Sequence, residues 1–184
     1  MADIDLYSQS PDSYDDLQNK RPDYVCAQKA FIDLAVKYLK GKDDVKVADF
    51  CCGTAPDTQA LAKNVTISRA VLVDINKEFL DIAKHKGLGV KEIITIPSDI
   101  LEANVPNDND LVISMFAYHH VTDVQKSDYV AKAKAALKPG GIVMLGEIYS
   151  PEKQTTLKYY EYLIDSMPEA KDNKALTTFL RQTA

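Results

Sequence analysis

Val47-Ala48-Asp49-Phe50-Cys51-Cys52-Gly53-Thr54-Ala55 is the stretch whose reading decides the fold. An apolar run ends near an acid, passes through a short segment holding Gly53, and meets Pro56, a residue tolerated in the first turn of a helix. Such a stretch is a strand running into a helix through a tight loop. The pattern extends in both directions. Upstream, Phe31, Leu34, Ala35, Tyr38 and Leu39 fall at i, i+3, i+4, i+7 and i+8, the spacing of one helical face, and Gly41 closes that helix. Asp23, after Pro22, is its expected cap. Strands are predicted at Val45–Cys51, Ala70–Ile75, Glu92–Ile96, Asp110–Ala117 and Gly141–Ile148, with helices over Pro56–Val65, Lys77–Lys86 and Thr122–Leu137 between them. A Lys138-Pro139-Gly140-Gly141 turn separates the last helix from the last strand. Strict alternation, with strands apolar on both faces, predicts an α/β fold: a doubly wound, mostly parallel sheet covered on both sides.

The remainder is helical or polar. Residues 1–43 read as an N-terminal arm and helix, 44–148 as the α/β core and 149–184 as C-terminal helices, all within a single domain 1–184. Leu157, Tyr160, Ile164 and Met167 line one helical stripe that Pro168 stops, and Leu176, Phe179 and Leu180 suggest another short helix. With 184 residues, 46% of them hydrophobic and 27% charged, one domain can bury a core that supports itself. The apolar runs fall far short of the roughly 20 residues a membrane helix needs, so no membrane partner is expected. The acidic start, Met1-Ala2-Asp3-Ile4-Asp5, lacks the basic-then-apolar order of a secretory signal. Net charge is −5 and no basic block stands out, which disfavours long phosphate backbones, and no nucleic-acid partner is expected. Cys26, Cys51 and Cys52 are odd in number, and adjacent strand residues face opposite ways. They suit neither a disulfide framework nor a metal site, and a reducing, cytoplasmic setting is the simplest reading.

In an open parallel sheet, ligands bind beyond the carboxyl ends of the strands, where the strand order reverses. The tips to inspect are 49–55, Asp74–Ile75, Ser98–Ile100, Met115–His120 and Glu147–Tyr149, and four of the five carry a carboxylate. That acidity suits a ligand with hydroxyls and positive charge better than a phosphate-rich one. Asp74 lies 21 positions after Gly53, near the offset of about 20 that sets a strand-two carboxylate on ribose hydroxyls. Gly53 lets backbone approach a ligand with no Cβ in the way. The helix that begins at Pro56 aims free amide groups at a ligand carboxylate. Asp49 orients the loop or receives an ammonium through water.

The first tip resembles motif I of class I S-adenosylmethionine-dependent methyltransferases, an apolar strand followed by Asp/Glu-x-Gly-x-Gly-x-Gly. Val71-Leu72-Val73-Asp74-Ile75 is similar to that family's second strand, Ser98-Asp99-Ile100 to its acid-plus-apolar pair, and Ala136-Leu137-Lys138-Pro139-Gly140-Gly141 to the turn before strand five. Together these cover about residues 45–148 in order and in register. The resemblance implies a Rossmann-like methyltransferase fold with S-adenosylmethionine as cofactor. It implies cofactor contacts from Asp49, Cys51, Gly53, Asp74, Ile75, Asp99, Ile100, Met115 and, from the arm, Tyr14; Tyr7 and Tyr24 are further arm aromatics able to face a sulfonium. At the fourth tip, His119 is the expected general base toward an acceptor.

The chain departs from the motif at two positions. Cys51 stands at the first family glycine, where a left-handed backbone would cost on the order of 1 kcal/mol. Ala55 stands at the third, which is read as needing only close helix–strand packing. The resemblance also implies seven strands, the last two forming an edge hairpin beside the fifth. No strand signal follows residue 148, so the sheet is expected to lack them, leaving strand five as an edge that either pairs in a homodimer or is covered by a helix. The reading is therefore a methyltransferase acting on an O or N atom of a small-molecule acceptor. Its rival is a non-catalytic module that binds S-adenosylmethionine or its product. A nicotinamide-dependent oxidoreductase would need Gly-x-Gly-x-x-Gly, and the loop offers only Gly53.

Overall fold

The computed structural model describes residues 15, 18–147, 149 and 152–166. Tyr7, Tyr14 and the segment around Leu176 lie outside the described residues. Helix α1 (Pro22–Leu39) leads into β1 (Val45–Phe50), α2 (Pro56–Ala62), β2 (Ile67–Asp74), α3 (Lys77–His85), β3 (Glu92–Pro97) and β4 (Asn109–Met115). A 3-10 turn at Tyr118–His120 precedes α4 (Lys126–Ala135), β5 (Leu137–Gly146) and α5 (Lys153–Ser166). The five strands lie in the order β3-β2-β1-β4-β5, and every pairing is parallel. From β1 the chain winds outward through β2 and β3, then crosses back to β4 on the other side of β1. The strand order reverses between β1 and β4, and the crevice there is where an open α/β sheet holds its ligand.

Alternate residues of β1 feed two separate cores, as the pleat requires. Val45 and Val47 join Phe31, Ile32, Ala35 and Leu39 of α1, Leu61 of α2, and Leu80 and Ala83 of α3. Ala48 and Phe50 face the other way, onto Tyr129 and Ala133 of α4 together with Ile100 and Ala103. Helices thus cover both faces, which is why the strands are apolar on both sides. Ser10–Glu147 form one compact unit, and α5 belongs to a second. Among the described residues no helix is long and apolar enough to cross a membrane.

Local chemistry moves several boundaries away from their predicted places. Asp23 sits inside the first turn of α1 rather than capping it, and its carboxylate takes the Arg21 guanidinium at 2.8 Å. Helix α4 starts at Lys126, not Thr122, because the backbone N–H and hydroxyl of Thr122 both donate to the Gln125 side chain, at 3.1 and 2.8 Å. The expected Lys138–Gly141 turn is a bulge inside β5: Asn109 pairs with Leu137, and Leu111 next pairs with Ile142. Two contacts hold this bulge. Tyr38 donates its hydroxyl to the Gly140 carbonyl at 2.5 Å, and Lys138 meets the buried Asp110 carboxylate at 2.5 Å. Gly141 returns so close to β4 that a Cβ there would lie 2.9 Å from the Asn109 carbonyl oxygen.

Candidate active site

The loop leaving β1 alternates in handedness. Cys51, Gly53 and Ala55 have φ of 54°, 54° and 59°, all in the left-handed region. The path is pinned by backbone bonds: Cys52 N–H donates to the Val73 carbonyl at 3.0 Å and Ala55 N–H to the Cys52 carbonyl at 2.8 Å. Cys51 therefore does meet the cost expected of a side chain there. Ala55 needs more than close packing: it carries the same left-handed strain and also precedes α2 as its N-cap. The strain gives a direct test. Cys51→Gly keeps the urea midpoint close to that of the parent. Cys51→Thr, close to cysteine in volume but β-branched, costs about 2 kcal/mol more. Equal midpoints for the two variants would show that the loop is not held left-handed at 51. Neither adjacent thiol is a nucleophile: burial pushes Cys51 up to about 12 and Cys52 well above the usual thiol range.

Three carboxylates gather around this loop. Asp74, at the end of β2, accepts the Gly53 N–H on one oxygen and the Asn76 N–H on the other, each at 2.8 Å. Burial raises its pKa, although the backbone N–H groups of Asn76, Gly53 and Ile75 pull the other way. Asp49 is buried and accepts the Thr58 hydroxyl at 2.6 Å, so within the protein it ties β1 to α2. Burial, and after it the charge of Asp57, hold its pKa well above the carboxylate range. Sequence reasoning missed Asp57, whose only signal is its place directly after Pro56. It is buried in the first turn of α2, accepts the Gln28 side-chain amide at 2.8 Å, and burial pushes it up to about 6. A negative charge in that turn disfavours the ligand carboxylate expected at the start of α2.

Asp15, an arm residue the sequence reading did not single out, also reaches this loop. Asp15 accepts the Thr54 hydroxyl on one oxygen and Lys86 Nζ, at 2.8 Å, on the other. Lys86 lowers the pKa of Asp57, but burial outweighs it. Asp15, Asp49, Asp57 and Asp74 stand around this loop with the ammonium of Lys86, an acid-rich lining that favours a cationic ligand over a diphosphate. Among the other expected contacts, Ile75 is exposed beyond Asp74, Ile100 is buried, and Met115 ends β4. Asp99 accepts the Leu101 N–H at 2.9 Å.

The tips of β4 and β5 are clamped together. Phe116, left-handed at φ 53°, donates its N–H to the Gly146 carbonyl at 2.7 Å, and its ring lies 5.5 Å from that of the buried Tyr24. Gly146 is tightly packed: a Cβ would stand 3.2 Å from both Met115 Cγ and Phe31 Cδ2, and these side chains would have to give way by a few tenths of an ångström. One residue on, Glu147 accepts the Tyr118 N–H at 2.6 Å on one oxygen and pairs with Nδ1 of His119 at 2.9 Å on the other. The Glu147 side chain is 6% exposed and that of His119 48%. His120 lies beside His119, the ring centroids 4.1 Å apart, and partial burial pushes its pKa down to about 4.

The five-stranded parallel sheet, with its switch point between β1 and β4, is the Rossmann-like fold of class I methyltransferases. The chain belongs to the methyltransferase domain family, whose pattern it matches over residues 47–141, a little over half its length. It is 30% identical over 140 residues to a demethylmenaquinone methyltransferase of Staphylococcus saprophyticus, covering 70% of this chain and 57% of that protein. In fold it resembles a solved complex described as DhpI with SAM and HEP (TM-score 0.62, 20% identity, 90% of this chain, 71% of that one). It also resembles an S-adenosylmethionine-dependent methyltransferase from Clostridium acetobutylicum (TM-score 0.59, 23% identity, 76% and 56%). The chain spans about half the length of the curated relatives it matches, 57% of the staphylococcal enzyme and 46% of a methyltransferase from Bacillus mycoides.

Proposed function

We propose that this chain transfers a methyl group from S-adenosylmethionine to an oxygen or nitrogen of a small-molecule acceptor. The observation that carries the reading is the Asp74 carboxylate, at the tip of β2 next to β1 and bonded to the Gly53 N–H of the first loop at 2.8 Å. Each of its oxygens has a lone pair beyond the one taken by backbone, enough to accept two ribose hydroxyls. The acid-rich lining of the crevice fits a sulfonium and an ammonium. When bound, S-adenosylmethionine supplies an electrophilic methyl group on sulfur.

In this reading Asp74 grips the ribose, Ile75, Asp99 and Ile100 flank the adenine, and Cys51, Gly53 and Met115 line the methionine half. Asp49 supports the loop through Thr58, Tyr14 closes from the arm, and His119 takes a proton from the acceptor. Residues 44–148 form the cofactor-binding core of a single domain, the setting is cytoplasmic, and the edge of β5 is where a second copy pairs. Support for that pairing is the strand order, in which β5 has a neighbour on one side only among the described residues.

Titration calorimetry tests the cofactor directly. A saturable heat with S-adenosylmethionine and none with NAD is the expected outcome. Silence with S-adenosylmethionine, or a signal with NAD alone, would remove the reading.

A further inference from the structure

We infer that Glu147 and His119 form a proton-accepting pair whose acceptor substrate is a hydroxyl compound. The inference rests on the methyltransferase reading above and adds the class of nucleophile to it. A carboxylate only accepts hydrogen bonds, so the 2.9 Å contact places the hydrogen of His119 on Nδ1. Nε2 is then the basic nitrogen, on a ring that is 48% exposed at the tip of β4. Glu147 is itself held: its other oxygen accepts the Tyr118 N–H at 2.6 Å, and its side chain is 6% exposed. The groups around the ring are Glu147 from β5, the adjacent His120, and Tyr118 with Lys126 of α4 lying 5.6 Å over its ring. His120 stays neutral near pH 7, so it does not compete with His119 for the carboxylate as a second cation.

This arrangement suits a hydroxyl rather than an amine. At neutral pH an alkylamine arrives as an ammonium and seeks a carboxylate, yet both oxygens of Glu147 are already engaged and nearly closed to solvent. A hydroxyl instead arrives neutral and becomes a competent nucleophile as it sheds its proton. The acceptor oxygen forms the new O–C bond with one of its electron pairs. The C–S bond breaks, its pair staying on sulfur, and the hydroxyl proton passes to Nε2. The imidazolium so formed is stabilised by the Glu147 carboxylate on Nδ1. Glu147 is thus a positioning residue and His119 the catalytic one.

Glu147→Gln separates positioning from packing. With its carbonyl on the Tyr118 N–H, the amide turns an NH2 toward Nδ1, and the histidine hydrogen moves to Nε2. Ring nitrogen NMR on the full chain saturated with S-adenosylhomocysteine is expected to show Nδ1–H for His119 in the parent and Nε2–H in Glu147→Gln. Product is followed with paired probes: p-cresol and 4-methylbenzylamine, 2-phenylethanol and 2-phenylethylamine. The hydroxyl members are methylated, and Glu147→Gln lowers kcat roughly 100-fold with KM nearly unchanged. His119→Asn, a change at a half-exposed side chain, gives the same loss without loss of fold. Methylation of the amines alone, hydroxyl turnover insensitive to either variant, no methylated hydroxyl, or Nε2–H in the parent would each overturn the pair while the cofactor still bound. Absence of S-adenosylmethionine binding would remove the underlying methyltransferase reading instead.

Discussion

Asp74→Ala is expected to weaken S-adenosylmethionine binding by about 3 kcal/mol, a loss of more than 100-fold in titration calorimetry. Two effects combine. The ribose hydroxyls lose a charged acceptor, and the Gly53 and Asn76 N–H groups, each bonded to Asp74 at 2.8 Å, lose theirs. Asp74→Asn is the sharper variant. Its side chain offers one oxygen where the structure uses two, so one of the two amides must face an NH2 group. Asparagine is therefore expected to behave like alanine rather than like aspartate. Affinity within threefold of the parent in Asp74→Asn would show that this carboxylate serves neither the sugar nor the loop.

Asp57→Asn is expected to raise stability by about 2 kcal/mol at pH 8 and to flatten its dependence on pH. Burial moves the pKa of Asp57 from its ordinary 3.8 to about 6, so between those values the folded chain holds more of this proton than the unfolded chain does. Stability contributed by the group is therefore lost as pH rises from about 4 to 6 and stays lost above. Two pKa units correspond to about 3 kcal/mol. Asparagine removes that penalty while keeping an oxygen for the Gln28 amide, which donates at 2.8 Å. A few tenths are returned because a charge at the start of α2 is favoured by the helix dipole. Urea unfolding at pH 4.5, 6 and 8 reads the effect. An unchanged slope in the variant would place the titration elsewhere, with Asp49, also raised by burial, as the remaining candidate.

The parts of this molecule legible in its sequence are those encoded over short distances. The apolar run before Asp49, the acid at 74 and the histidines after β4 each follow from local periodicity and from the rule that strand tips carry the ligand. The missed parts join residues far apart in the chain. Gln28 meets Asp57 across 29 positions, Thr54 meets Asp15 across 39, and His119 meets Glu147 across 28. No periodicity records such a meeting; the parallel register of β4 with β5 brings His119 to Glu147, and the packing of α2 against α1 brings Asp57 to Gln28. The β5 bulge escaped for a related reason. Pro139-Gly140-Gly141 has the composition of a turn, but the Tyr38 hydroxyl and the Asp110 carboxylate anchor it within the strand. Ala55 misled because alanine is unremarkable in sequence, while its left-handed backbone is visible only in three dimensions.

Among the described residues, β5 is bordered by β4 alone, and it is also the element that carries the chain to Glu147. With no second copy on that edge, a strand bordered on one side opens at lower cost than the interior strands. Heat would thus slacken the imidazole's tether while the bulk of the molecule stayed intact, and turnover would fade at temperatures where spectroscopic signals of folding had not yet moved.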